Sequence, residues 1–144
     1  MESLQKALKI AFATEYSFMV KAQNYHWNVE GIHFQQFHAL FDTIYSEVQD
    51  SLDMFAENIR KIDAYTPASF IRFNQLSMIQ DETDILSAEE MVEELLQDSD
   101  KLQQMFKIVF QAAEELGEHG LSNFLADRQD AHAKHSWMLR STLK

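Results

Sequence analysis

Residues 34–63 read FQQFHALFDTIYSEVQDSLDMFAENIRKID, and the spacing of their apolar side chains decides the fold. Phe37, Phe41, Ile44, Val48, Leu52, Phe55, Ile59 and Ile62 recur every three or four positions, which places them on one face of a helix from about Phe34 to Asp63. Thr66-Pro67 ends it, because proline lacks the amide hydrogen a helix needs and its ring clashes with the preceding turn. Upstream, Leu4, Leu8, Ala11, Phe12, Met19, Ala22 and His26 form a similar stripe, predicting a first helix from near Ser3 to about Val29, stopped at Gly31. Downstream, residues 64–86 read as a crossover with a short helix around Ala68 to Leu76 and then the acidic run Asp81-Glu82-Thr83-Asp84. Ser87 with Glu90 three residues on forms a capping box that opens a third long helix, reaching about Leu116. Gly117 and Gly120 close it, and a fourth runs from about Leu121 to Leu143, carrying Phe124, Leu125, Trp137, Met138 and Leu139.

Two long helices, a long connection and two more long helices imply an all-α four-helix bundle with one crossover, the topology of ferritin-like proteins. The 144 residues contain three Gly and one Pro, with no linker or change of composition, so residues 1–144 are expected to form a single domain. A formal net charge of -11 opposes binding to a polyanion, since unpatterned acidity repels phosphate. The absence of Cys excludes thiolate-based zinc, iron–sulfur and disulfide chemistry. No apolar run approaches the roughly 18 residues of a membrane span, and the start Met1-Glu2-Ser3-Leu4-Gln5-Lys6 has no signal-peptide pattern. A soluble protein of the cytoplasm, without a membrane partner, is expected.

The candidate chemistry lies on the second helix. At about 100° per residue and with His38 at zero, Asp42 falls near 40°, Asp53 near 60° and Glu57 near 100°, while Phe37, Phe41, Val48, Leu52, Phe55 and Ile59 occupy roughly 260–320°. The polar stripe therefore flanks the bundle core, which points to a site completed by another helix or chain. A solvated helix face accounts for any one of these acids taken alone. Carboxylate oxygen and imidazole nitrogen together suit iron, because the acids neutralise its charge and neutral His is a ligand near pH 7.

The run Asn24-Tyr25-His26-Trp27-Asn28-Val29-Glu30-Gly31, followed by Phe34, His38, Phe41, Asp42, Asp53, Ala56, Glu57 and Arg60, resembles the signature of the Dps mini-ferritins, within the ferritin-like superfamily. Trp137-Met138-Leu139-Arg140 resembles that family's last helix, so the likeness covers nearly the whole chain. The resemblance implies that His26, His38 and often Asp42 come from one subunit and Asp53 and Glu57 from its two-fold partner. It also implies a dodecameric shell, oxidation of ferrous iron (Fe2+ to Fe3+) by hydrogen peroxide or oxygen, and storage of ferric mineral, protecting against oxidative stress. Trp27 is then a candidate electron donor or radical trap, or else an interface packing residue.

One string discriminates against the larger ferritins, whose in-bundle sites use Glu-x-x-His on a helix. Its only occurrence here, Glu30-Gly31-Ile32-His33, straddles a helix break. For an iron-entry pore, Glu118 is the choice among Glu114, Glu115, Glu118 and Asp127, with Asn123 standing where the family usually has Asp. His119, His132 and His135 form a conceivable accessory metal site, although surface histidines without function are the expectation. The family's DNA binding depends on basic tails that this chain does not show, so direct DNA binding is not expected, bridging cations aside. Two other readings stand beside the iron oxidase: a DNA-protecting shell with a vestigial metal site, and a plain helical bundle that mediates protein contacts.

Overall fold

The computed structural model describes residues 1–144 and contains five helices and no strand. They are α1 (Glu2–Asn28), α2 (Phe34–Lys61), the short α3 (Phe70–Leu76), α4 (Ala88–Glu115) and α5 (His119–Thr142). Several boundaries have a local cause. Gly31 adopts φ +126° in the α1–α2 turn, and Ser87 Oγ accepts the Glu90 amide at 3.2 Å to cap α4. At the far end of α4 the Glu118 amide donates to Ala113 O and the Gly117 amide to Glu114 O, at 2.9 and 3.0 Å. This is a Schellman closure, and it requires the left-handed conformation that Gly117 takes at φ +75°. Ser69 Oγ caps α3 in the same way as Ser87 caps α4, through the Arg72 amide.

The crossover shows how the helices are ordered. Along α1, Gln5 donates to Ile62 O, Thr14 Oγ1 accepts the Met78 amide, and Asn24 and Tyr25 bond to Glu82. Contacts at positions 5, 14 and 24–25 thus meet positions 62, 78 and 82 in rising order. The connection runs the full length of α1 in its direction, returning the chain to the end where α2 began, so α4 lies parallel to α2. α1 packs on α2, α4 and α3, and α4 packs on α5.

At the centre, Phe55 of α2 meets Phe12 of α1, Phe106 of α4 and Phe124 of α5 at centroid distances of 5.4, 5.9 and 5.2 Å. One ring from each long helix locks the bundle at a single level. The expected apolar faces are buried, with two qualifications. Phe37, Met138 and His26 are only half-buried, and Trp137 is 57% exposed. No helix is long and apolar enough to cross a membrane.

Candidate metal site

The turn between α1 and α2 brings His26 and His38 face to face, with ring centroids 3.8 Å apart and planes 12° from parallel. Each ring donates from Nδ1 to the other residue's backbone carbonyl: His26 to His38 O at 2.7 Å, His38 to His26 O at 2.6 Å. The reciprocal bonds have a chemical consequence. A neutral imidazole protonated at Nδ1 keeps its lone pair at Nε2, and a carbonyl on the far nitrogen is the usual outer support of a metal-ligating histidine. The pair thus offers two nitrogen donors with fixed tautomers. Phe34 stacks on the outer face of His38 at 4.9 Å, and Tyr45 lies against His26 at 5.3 Å.

The acids occupy other levels of α2. Asp42 follows His38 by one turn, is exposed, and accepts the Ser46 hydroxyl at 2.9 Å. Asp53 and Glu57, one turn apart, are also exposed. Asp53 comes fifteen residues after His38, which at about 1.5 Å per residue sets it roughly 22 Å away along the helix. The stripe is thus shared in angle but divided in height. No three His, Asp or Glu side chains of one chain converge to hold an ion. Trp27 is 64% exposed. Glu118 is half-buried at the N-terminal boundary of α5, where its carbonyl receives the Ser122 amide and hydroxyl.

His132 and His135 correct the expectation of surface histidines: they are 0% and 2% exposed. Both belong to a charged network inside the bundle. Arg128 donates to Glu15 Oε2 at 3.0 Å and to Glu47 Oε2 at 2.6 Å, His132 Nε2 donates to Glu15 Oε1 at 2.7 Å, and His135 Nε2 to Glu47 Oε1 at 2.7 Å. Burial alone would raise the Glu15 carboxyl, yet His132 and Arg128 hold it below the ordinary carboxylate range. The same contest, with His135 and Arg128 as partners, pulls Glu47 down to about 2. Burial pushes His135 down despite its bond to Glu47, and its Nδ1 is buried without a partner. The Arg128 guanidinium bridges both carboxylates, so each has a cationic partner within the protein. His119, the third of the set, is exposed and bonds Glu114 at 3.2 Å.

Sequence reasoning missed this network because its members look like ordinary helix residues. Glu15 and His132 are separated by 117 positions, and no local spacing joins them. The available signal was that Glu15 stands three residues after Phe12 and four before Met19, on the apolar stripe of α1.

A ferritin-like domain model matches residues 5–144. Antigen TpF1 of Treponema pallidum is 33% identical over 129 residues, covering 87% of this chain and 71% of that one. A DNA protection during starvation protein of Brevibacillus brevis is 30% identical over 125 residues, covering 87% of this chain and 84% of its own. The crystal structure of a Dps protein from Vibrio cholerae, described as a member of a broad superfamily of ferritin-like diiron-carboxylate proteins, superposes with a TM-score of 0.95. It is 29% identical and covers 99% of this chain and 90% of its own.

Proposed function

Because the chain belongs to the ferritin-like family, with Dps proteins among its relatives, we propose that it oxidises ferrous iron at a site shared between two subunits and stores the ferric product in a shell. The observation that carries this reading is the His26–His38 pair, whose reciprocal bonds leave both Nε2 atoms as donors at an exposed edge of the bundle. Two imidazoles and Asp42 make an incomplete ligand set, and the matching carboxylates Asp53 and Glu57 sit near the other end of the same helix.

An antiparallel second copy supplies the missing half. Positions 38 and 53 have their midpoint between residues 45 and 46, and positions 38 and 57 between 47 and 48. A two-fold axis crossing α2 near residues 46–48 thus brings the partner's Asp53 and the partner's Glu57 opposite His38, and generates a second identical site in the same step. In this arrangement His26 and His38 hold ferrous iron, and the carboxylates neutralise charge that grows on oxidation and so favour the ferric state. Hydrogen peroxide, a two-electron acceptor, takes one electron from each of two ferrous ions and leaves as two waters with two protons from solvent. Pairing the electrons in this way avoids release of hydroxyl radical.

Stopped-flow absorbance of the ferric product, after anaerobic addition of ferrous iron and then peroxide, tests the site. The parent chain should oxidise iron rapidly and a His38→Ala, Asp53→Asn variant should not. Equal rates would reduce the stripe to a solvated face. Direct DNA binding forms no part of this function, although the Brevibacillus relative is named for DNA protection, since a charge of -11 opposes a phosphate backbone. Retardation of plasmid in low salt without divalent metal would overturn that statement.

A further inference from the structure

The buried network draws on all four long helices: Glu15 from α1, Glu47 from α2, Ser99 from α4, and Arg128, His132 and His135 from α5. Spacings of four and three residues set the three α5 side chains on one face. From the guanidinium, Nε and Nη2 donate to Glu15 Oε2 at 3.3 and 3.0 Å, while Nη1 and Nη2 donate to the two Glu47 oxygens at 2.6 and 3.2 Å. Each carboxylate also meets an imidazole Nε2 at 2.7 Å, and the two imidazole rings lie 5.3 Å apart. Behind His132, Ser99 Oγ stands 2.9 Å from Nδ1, and a hydroxyl can serve either tautomer of that ring. Two carboxylates and two imidazoles, one of them supported from behind, are the donor types that hold a divalent transition metal. The guanidinium cancels one of the two carboxylate charges, where a divalent ion would cancel both. Buried His135 Nδ1 has no partner, so the present occupant leaves one nitrogen of the cage unused. Glu47 is half-buried and forms the opening of the cage to the surface.

We propose that the Arg128 guanidinium occupies a divalent-metal site inside the bundle, built by Glu15, Glu47, His132 and His135, and thereby keeps metal out of it. This inference goes beyond the interface site and does not rest on iron oxidation there. The acids and histidines do not converge on one point because the planar guanidinium bridges the two carboxylates and holds them apart. A tethered guanidinium is permanently charged and matches carboxylates in a fixed fork. It also loses no translational freedom on binding, whereas a free ion must do so. Without it, two carboxylates remain in the core and require another cation. A divalent ion reaching the cage past Glu47 then meets that requirement, with the carboxylates drawn together and the imidazoles turned onto the metal.

The test uses the assembled protein in a His38→Ala, Asp53→Asn background, which removes the interface site, and Co2+ alone as the probe. Equilibrium dialysis counts bound ions, visible absorption detects Co2+ of low coordination number with imidazole ligands, and thermal melts read stability. The background protein should show no such bands. Adding Arg128→Ala should lower the thermal midpoint without metal, bind one further Co2+ per chain, develop the bands, and regain much of the lost midpoint as Co2+ is added. Glu15→Gln on top of Arg128→Ala should lose the bands and the extra ion, and Arg128→Lys, which keeps a tethered charge, should remain without them. An Arg128→Ala chain that binds no more Co2+ than the background overturns the proposal. So does one that refolds from denaturant neither with Co2+ nor without it, since the metal would answer the same charge. Bands already present in the background and abolished by Glu15→Gln would show that Arg128 does not exclude metal, and equal uptake by Arg128→Lys would show that its charge is not the barrier. Either result also overturns it.

Discussion

Arg128 is 4% exposed and faces Glu15, which is fully buried, and Glu47. Removing the guanidinium leaves the Glu15 charge in the bundle with only His132 to answer it. Taking one partner from a buried ion pair typically costs about 3–5 kcal/mol, whereas replacing the whole pair by apolar residues is often neutral. Arg128→Met should therefore lower the thermal midpoint clearly, and the double variant Arg128→Met, Glu15→Leu should recover much of the loss. A single variant as stable as the parent in a thermal melt would show that the network does not restrain the core. The same residues set the response to acid. Glu15 and Glu47 titrate below their unfolded value of 4.5, so below that pH the unfolded chain binds more protons than the folded one. Their stabilising contribution is complete above that value and is lost as pH falls toward about 2, where Glu47 titrates. His135 acts in the same direction at higher pH: its folded value lies below 6.5, so stability declines as pH falls through 6.5 toward that depressed value. Thermal midpoints by circular dichroism should fall monotonically from pH 7 to pH 3, and Glu47→Gln should flatten the acid part of that curve.

At the scale of the helices, the closures of α4 separate two kinds of contribution. Ser87→Ala removes the only side chain that accepts an amide at its N-terminus and should cost about 1 kcal/mol. At Gly117 a Cβ would meet nothing within 4 Å, so Gly117→Ala should cost about 1–2 kcal/mol from the left-handed backbone alone. A neutral result in chemical denaturation would mean that the α4–α5 turn relaxes to another closure. The closures at Gly31, Ser87 and Gly117 were legible from the sequence because their causes act within a few residues, whereas α2 ends at Lys61 with Asp63 left-handed at φ 65° and the Ala64 amide on Ile59 O, before Pro67 is reached. His26 and His38 were legible as a motif, but not their stacking or their exchanged carbonyl bonds, which depend on how the α1–α2 turn folds back. A helical wheel retains angle and discards height, so it joined Asp53 and Glu57 to His38 in one stripe. The buried network was hidden for the opposite reason: its members sit on α1, α2 and α5, and each was compatible with a solvated position until the helices packed.

For the assembly, the division of α2 into a histidine half and a carboxylate half makes the number of chains in a working site measurable. His38→Ala and Asp53→Asn, made separately, should each be inactive in rapid iron oxidation. Unfolding the two together and refolding them as a mixture produces mixed pairs. In a mixed pair one site receives both defects, and the other combines an intact His38 from one chain with an intact Asp53 from its partner. Random pairing makes half of all pairs mixed, and each mixed pair keeps one of two sites, so about a quarter of the parental burst should return. A site contained within one chain predicts no recovery, because every chain in the mixture carries a defect. The size of the recovered burst also tests where the two-fold axis lies. If the axis crossed α2 well away from residues 46–48, His38 would not face the partner's Asp53 and both variants would fail to complement. Recovery with His38→Ala and Glu57→Gln as the mixed pair, measured alongside, would place both carboxylates opposite the histidines across one interface.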